Sequence, residues 1–191
     1  MQCSSKLFIA AFVIAAVPAA MAADRKFPDV GKPLAQAEIQ RFDHMIGPEG
    51  KELPVGRGTS KEGAEIFAKR CEVCHGKGGR NGIVRRLMVG KPGEPYKGNF
   101  YGQEANGPSY YPYATITWDY INRAMPASNP GTLTPNEVYA LVAYIYYENG
   151  IIKEGDVMDQ TTLPKVVMPN KDGFVPAKPV YPPDPKWPSW Y

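Results

Sequence analysis

Cys71, Cys74 and His75 stand within five consecutive positions of the run AKRCEVCHGKGG. Three kinds of chemistry use two thiols and an imidazole so close together: metal binding, disulfide exchange and covalent attachment of a haem. A structural zinc site takes four Cys or His ligands. Apart from Cys3, the chain offers only Cys71, Cys74, His44 and His75, and His44 precedes the cysteines instead of following them. A thioredoxin-like dithiol belongs where a strand turns into a helix within an α/β unit. Here the residues before Cys71 read as helix, and no strand–helix alternation surrounds them. A plain structural disulfide suits an oxidising compartment, but gives no reason for His75 to follow Cys74 directly. Haem attachment uses all three residues. Each thiol adds to one vinyl group, the two intervening residues give the pair the reach of both vinyls, and the next residue turns its imidazole to the iron. The pattern therefore points to one covalent haem c on Cys71 and Cys74, with His75 as iron ligand.

A low-spin haem takes a second axial ligand, and a thioether there raises the reduction potential. Met125 lies in RAMPASNP, between a predicted helix and a helix-capping sequence, and Pro126 stiffens the loop it stands on. Met88 in VRRLMVG reads as adaptable core filler. Met158 and Met168 come after the helix expected to close the domain, and His44 reads as an exposed residue of a short amphipathic helix, RFDHM. Met125 is the expected distal ligand. No residue is expected to be catalytic.

These ligands need helices to hold them. Thr59-Ser-Lys-Glu62 has the form of a capping box, followed by Gly63, Ala64 and Phe67 as a small apolar face that leads into Cys71. Thr134-Pro-Asn-Glu137 opens a second helix in the same way, with proline at its favoured first position. Val138, Leu141, Val142 and Ile145 then recur at helical spacing, and Gly150 is the expected stop. A third helix is predicted at Thr115 to Arg123, ending before Pro126. The loop between the motif and that helix shows no strand-like alternation. The expected fold is all-α.

The chain opens on Lys6, the apolar run Leu7 to Val17 and the small-residue site Ala20-Met21-Ala22. This is the layout of an export signal cleaved near Ala22, and the run is too short to span a bilayer. Haem attachment of this kind follows export, so the expected location is the periplasm, with no membrane span after processing. The formal charge of the 191 residues is only +3, and no dense basic face argues for nucleic acid. Lys69, Arg70, Lys77, Arg80, Arg85 and Arg86 surround the motif, either as a rim that steers an acidic electron partner or as an ordinary solvated surface. The expected organisation is a signal peptide (1–22), an N-terminal extension with a short helix (23–57), a helical domain (58–150) and an extended Pro/aromatic-rich segment (151–191). Six prolines after Val175, interleaved with Tyr181, Trp187, Trp190 and Tyr191, suit a tail lying along a partner or along its own domain.

The haem motif and the two capped helices resemble a class I cytochrome c, in which Gly63, Phe67, Leu141 and Tyr144 match the positions where the first and last helices cross. The likeness goes further. PLAQAEIQRFD, YPYATITWDYINRAMP and the long run from LTPNEVYALVAYIYYENG to LPKVVMPNKDGFV resemble the cytochrome subunit of bacterial sulfur (sulfane) dehydrogenase, the SoxD type. The resemblance covers about Pro33 to Val175, and its most specific parts are WDYINRAMP and LPKVVMPNKDGF. It implies a periplasmic electron-transfer subunit paired with a molybdenum-cofactor subunit related to sulfite oxidase, passing electrons on to a downstream cytochrome. Carried over by position, Cys71 and Cys74 attach the haem, His75 is the proximal ligand and Met125 the distal one. The chain departs from two-haem members of that family: it has one Cys-x-x-Cys-His, and PAKPVYPPDPKWPSWY where a second cytochrome domain would follow. A free cytochrome shuttling electrons between another dehydrogenase and an oxidase is the rival reading.

Overall fold

The computed structural model describes residues 31–40, 42–84, 86–96 and 107–174. The expected export signal, Arg85 of the basic cluster and the Pro/aromatic run after Val175 lie outside the described residues. The chain divides into two units between Ile39 and Gln40. The described part of the first holds most of a five-residue helix, α1 (Gln36–Gln40). This helix does not take in Asp43, His44 and Met45, which were expected to be helical. Directly after them, the Ile46 N–H donates to the Asp119 carboxylate at 3.2 Å and the Gly47 N–H to Glu52 at 3.0 Å.

The second unit is built on two capped helices. In α2 (Ser60–Arg70) the Thr59 hydroxyl accepts the Glu62 N–H at 3.3 Å, while the Glu62 carboxylate accepts the Thr59 N–H at 2.8 Å. α6 (Pro135–Glu148), numbered in chain order, repeats the arrangement with Thr134 and Glu137 at 3.4 and 2.7 Å. Each box satisfies amides that a helix N-terminus otherwise leaves open. At the other end of α6, Gly150 takes a φ of +70°. Its N–H donates to Tyr147 O at 2.9 Å, and the Ile151 N–H donates to Tyr146 O at 2.8 Å, closing a Schellman motif.

α6 is buried on nearly every side, from Val138 through Ala143 and again at Ile145 and Tyr146, which makes it the central element. α2 crosses it at very close range: a Cβ on Gly63 would stand 1.9 Å from Ala140 O and 2.6 Å from Tyr144 Cβ. One turn on, the Phe67 and Tyr144 rings meet at 5.2 Å between centroids. α5 (Thr115–Ala124) packs on α6 through Trp118, whose ring lies 5.5 Å from that of Tyr139. The Tyr146 hydroxyl ties the start of α5 by donating to Ala114 O at 2.9 Å.

Two expectations are corrected here. The fold is not purely α, because β1 (Arg57–Thr59) pairs antiparallel with β2 (Val157–Asp159), with Gly58 opposite Met158. Three-residue strands are too short to show an alternation in sequence. β1 also lies against α6 where only a glycine fits: a Cβ on Gly58 would be 2.2 Å from Ala140 N. Nor does the core stop at Gly150 or begin at residue 58. Leu53, Met158, Leu163 and Met168 are buried in the same apolar cluster as Phe67 and Trp118. The Tyr139 hydroxyl donates to Pro54 O at 2.9 Å, and the Ser60 hydroxyl to Glu154 O at 3.0 Å. Among the described residues no helix is long and apolar enough to cross a membrane.

Candidate functional site

α2 runs directly into the Cys-x-x-Cys-His sequence. Cys71 caps α2, its N–H donating to Phe67 O at 2.9 Å, and starts the single turn α3 (Glu72–His75). The His75 N–H donates back to Cys71 O at 3.0 Å. Positions 71, 74 and 75 are thus i, i+3 and i+4 of one turn and share a face. The chain then doubles back across the motif. A Cβ on Gly82 would fall 2.1 Å from Cys74 O, and the Val84 N–H donates to that same carbonyl at 3.2 Å.

That face forms one side of a cleft of about 450 Å³, within the range of ligand-sized pockets. Cys71, Cys74 and His75 line it together with Phe67, Val84 and Leu87. Thr117, Tyr120 and Ile121 from α5, and Leu141 and Ile145 from α6, also line it. Met125 lies on it too, as the C-cap of α5 with extended backbone and its N–H on Ile121 O at 3.1 Å. The Met125–Pro126 peptide is cis. The loop beyond is fastened to α2, since Arg70 donates to the Thr132 hydroxyl at 2.9 Å and lies 3.7 Å from the Glu137 carboxylate.

Met88, Met158 and Met168 are buried in the core, Met45 is exposed, and none of them lines the cleft. His44 is exposed and lies off the cleft as well. The cleft-lining residues not singled out from sequence include Val84, Leu87, Pro108 of α4 (Gly107–Tyr110), Tyr111, Thr117, Tyr120 and Ile121. A signal existed for three of them: Thr117, Tyr120 and Ile121 recur at i, i+3 and i+4 on the helix that ends at Met125.

Cys71 and Cys74 are not joined in a disulfide. Burial pushes the Cys71 thiol up to about 11; Arg70 opposes that rise, and Cys74 and Glu72 add to it. Burial also raises the Tyr111 phenol, with Tyr120 adding to the shift.

Residues 58–145 match the family model described as cytochrome c oxidase, cbb3-type, subunit III. These residues are a cytochrome c domain. A chain of the sulfane dehydrogenase SoxCD from Paracoccus pantotrophus is similar in structure. The two are 28% identical with a TM-score of 0.65, over 79% of this chain and 73% of that one. Together the two findings support a cytochrome c that resembles SoxD. Comparison with the curated proteins gave no match.

Cytochromes c carry haem c, and the cleft fits one. Its donors are two thiols and an imidazole on one turn and a thioether on a facing loop, with apolar side chains between them. Among the described residues no group of three or more His, Cys, Asp or Glu could hold a bare metal ion. The donor set suits an iron already held in a macrocycle better than a free cation, since a zinc site would need more protein ligands.

Proposed function

We propose that this cytochrome c is the periplasmic electron-accepting subunit of a molybdenum-dependent dehydrogenase of sulfur compounds, sulfane sulfur or sulfite. The observation that carries the reading is the extent of the likeness to SoxCD. The cytochrome domain spans only residues 58–145, whereas the structural likeness covers 79% of the chain. It therefore takes in segments that electron carriage alone does not require. The expected export signal supports a periplasmic location.

In this reading Cys71 and Cys74 would hold a single haem c through thioether bonds, and His75 and Met125 would ligate its iron. Bound there, the haem supplies a one-electron couple. The Met125 sulfur, a soft ligand, favours the reduced state. Phe67, Leu141 and Ile145 keep water from the interior of the cleft, and Arg70 holds the Met125 loop to α2 through Thr132. No side chain of the site breaks or makes a substrate bond. That chemistry belongs to a sulfite-oxidase-like molybdenum-cofactor subunit, and the electrons leave to a downstream cytochrome.

The test is purification of the native protein with whatever co-elutes. A mass increment of one haem, a molybdenum subunit in the same peak and reduction by a sulfur substrate are expected. Met125→Ala should remove the weak near-infrared sulfur-to-iron band of the oxidised protein and lower its potential. A mass equal to the bare chain would end the haem reading. A haem-loaded chain that elutes alone, and is reduced only by unrelated donors, would replace the subunit with a free shuttle.

A further inference from the structure

The segment from Arg80 to Gly90 carries Val84, Arg86 and Leu87 to the cleft without any helix or strand among its described residues. Backbone of that kind needs other partners where the chain turns inward, as it does at Met88. Gly79 O accepts from Leu87 N–H at 2.9 Å and Met88 N–H at 3.2 Å. Leu87 to Gly90 are held further by two side chains. Asn149 Oδ1 accepts from Val89 N–H at 3.0 Å and Gly90 N–H at 3.1 Å, while Nδ2 donates to Leu87 O at 3.1 Å. Arg80 donates to Met88 O and Gly90 O, both at 3.0 Å, and reaches the Glu148 carboxylate at 3.2 Å.

Asn149 is fully buried at the C-cap of α6. Its remaining donor goes to Ile145 O at 2.8 Å, so the amide uses two donors and two acceptor sites. The helix end has its Schellman bonds through Gly150 and Ile151 without the Asn149 amide. A buried amide costs more than an apolar side chain of the same size unless its partners need it. Here three of its bonds go to Leu87, Val89 and Gly90, and a long one reaches Met88 Sδ at 3.9 Å.

We propose that Asn149 is a positioning residue for the redox site. Through Leu87–Gly90 it holds the returning segment on the side of the cleft built by the Cys-x-x-Cys-His turn, and so limits the water that reaches the His75 side. Water there stabilises the oxidised, more charged state, so the tie keeps the potential high. The inference rests on the haem-binding cytochrome reading and not on the identity of a partner.

The experiment uses the haem-loaded full chain. Asn149→Leu keeps the bulk and removes every bond of the amide. Arg80→Gln releases Met88 O and Gly90 O while leaving Asn149 in place. Thr134→Ala is the control: it removes the cap at the far end of α6, lowers stability and leaves the Leu87–Gly90 segment alone. Potentials are read by equilibration with a reference couple, and the opening of the returning segment by hydrogen exchange of the Val89 and Gly90 amides relative to the amides of the α6 core. Asn149→Leu should shift the equilibrium about tenfold toward the oxidised form, about 59 mV for one electron, and speed that exchange. Arg80→Gln should move both in the same direction by less, and Thr134→Ala should move neither. An Asn149→Leu protein that melts earlier, as Thr134→Ala does, but keeps the wild-type potential would overturn the proposal. If that variant yields no haem protein, an unchanged potential in Arg80→Gln overturns it instead. Wild-type chain without haem would overturn the cytochrome reading and this inference together, before any variant is made.

Discussion

The α2–α6 crossing and the Arg80–Gly90 segment flank the same Cys-x-x-Cys-His turn, yet they are held by opposite means. At the crossing, side chains are removed. Gly63 and Gly58 bring backbone against Ala140, and the contact is closed by the Phe67 and Tyr144 rings. In the returning segment, polar side chains are added, with buried Asn149 and part-exposed Arg80 taking the amides and carbonyls of Leu87 to Gly90. A helix brings its own backbone hydrogen bonds, so volume alone can decide how two helices meet. A loop brings none, and can be buried only where side chains complete them.

The largest effect should come from breaking the crossing. Gly63→Val drives a branched side chain into Ala140 O, a backbone atom that no neighbouring truncation can clear, and should cost about 3 kcal/mol. A urea midpoint on the haem-loaded protein measures it. A loss under about 1 kcal/mol would mean that volume does not set this contact.

A second irregular segment sharpens the other half of the comparison. At the end of β2 the Asp159 carboxylate accepts from the Thr161 hydroxyl and N–H, both at 2.7 Å, and from the Thr162 N–H at 2.8 Å. These bonds, led by the Thr161 hydroxyl, hold its pKa down at about 2 from a usual 3.8. A carboxylate with a depressed folded pKa contributes stability above its unfolded pKa and loses that contribution as pH falls through the folded one. Asp159→Asn should cost about 1 kcal/mol at neutral pH. Its deficit against wild type should shrink between about pH 4 and about pH 2. A deficit of constant size over that range would assign the loss to packing instead of the charge.

The smallest effect belongs to the rim of the cleft. Val73 stands between the two cysteines and is 82% exposed. Val73→Ser should change stability by less than about 0.5 kcal/mol, as read from thermal unfolding. A loss above about 1 kcal/mol would show that this rim is packed as the crossing is.

What the amino-acid sequence determined by itself is what acts over a few residues. The Cys71-x-x-Cys74-His75 turn is one such feature, because its three side chains share a face whenever that turn is helical. The Thr59/Glu62 and Thr134/Glu137 boxes are two more, because both partners lie within one turn. Gly150 is another, since only a residue at ease with positive φ ends α6 in this way. Met125 could be singled out by its place between two helices, but its position on the cleft depends on α5 packing against α6. The β1–β2 pair, the burial of Met158 and Met168 and the role of Asn149 had no local mark. Gly56 N–H, for example, donates to Gln160 Oε1 104 positions away at 3.3 Å. Asn149 reads in sequence as an ordinary residue before a helix-stopping glycine, and only the fold brings Leu87, Val89 and Gly90 to it. Tertiary structure decided these features because each joins groups far apart in the chain, and such groups are neighbours only after the helices have packed.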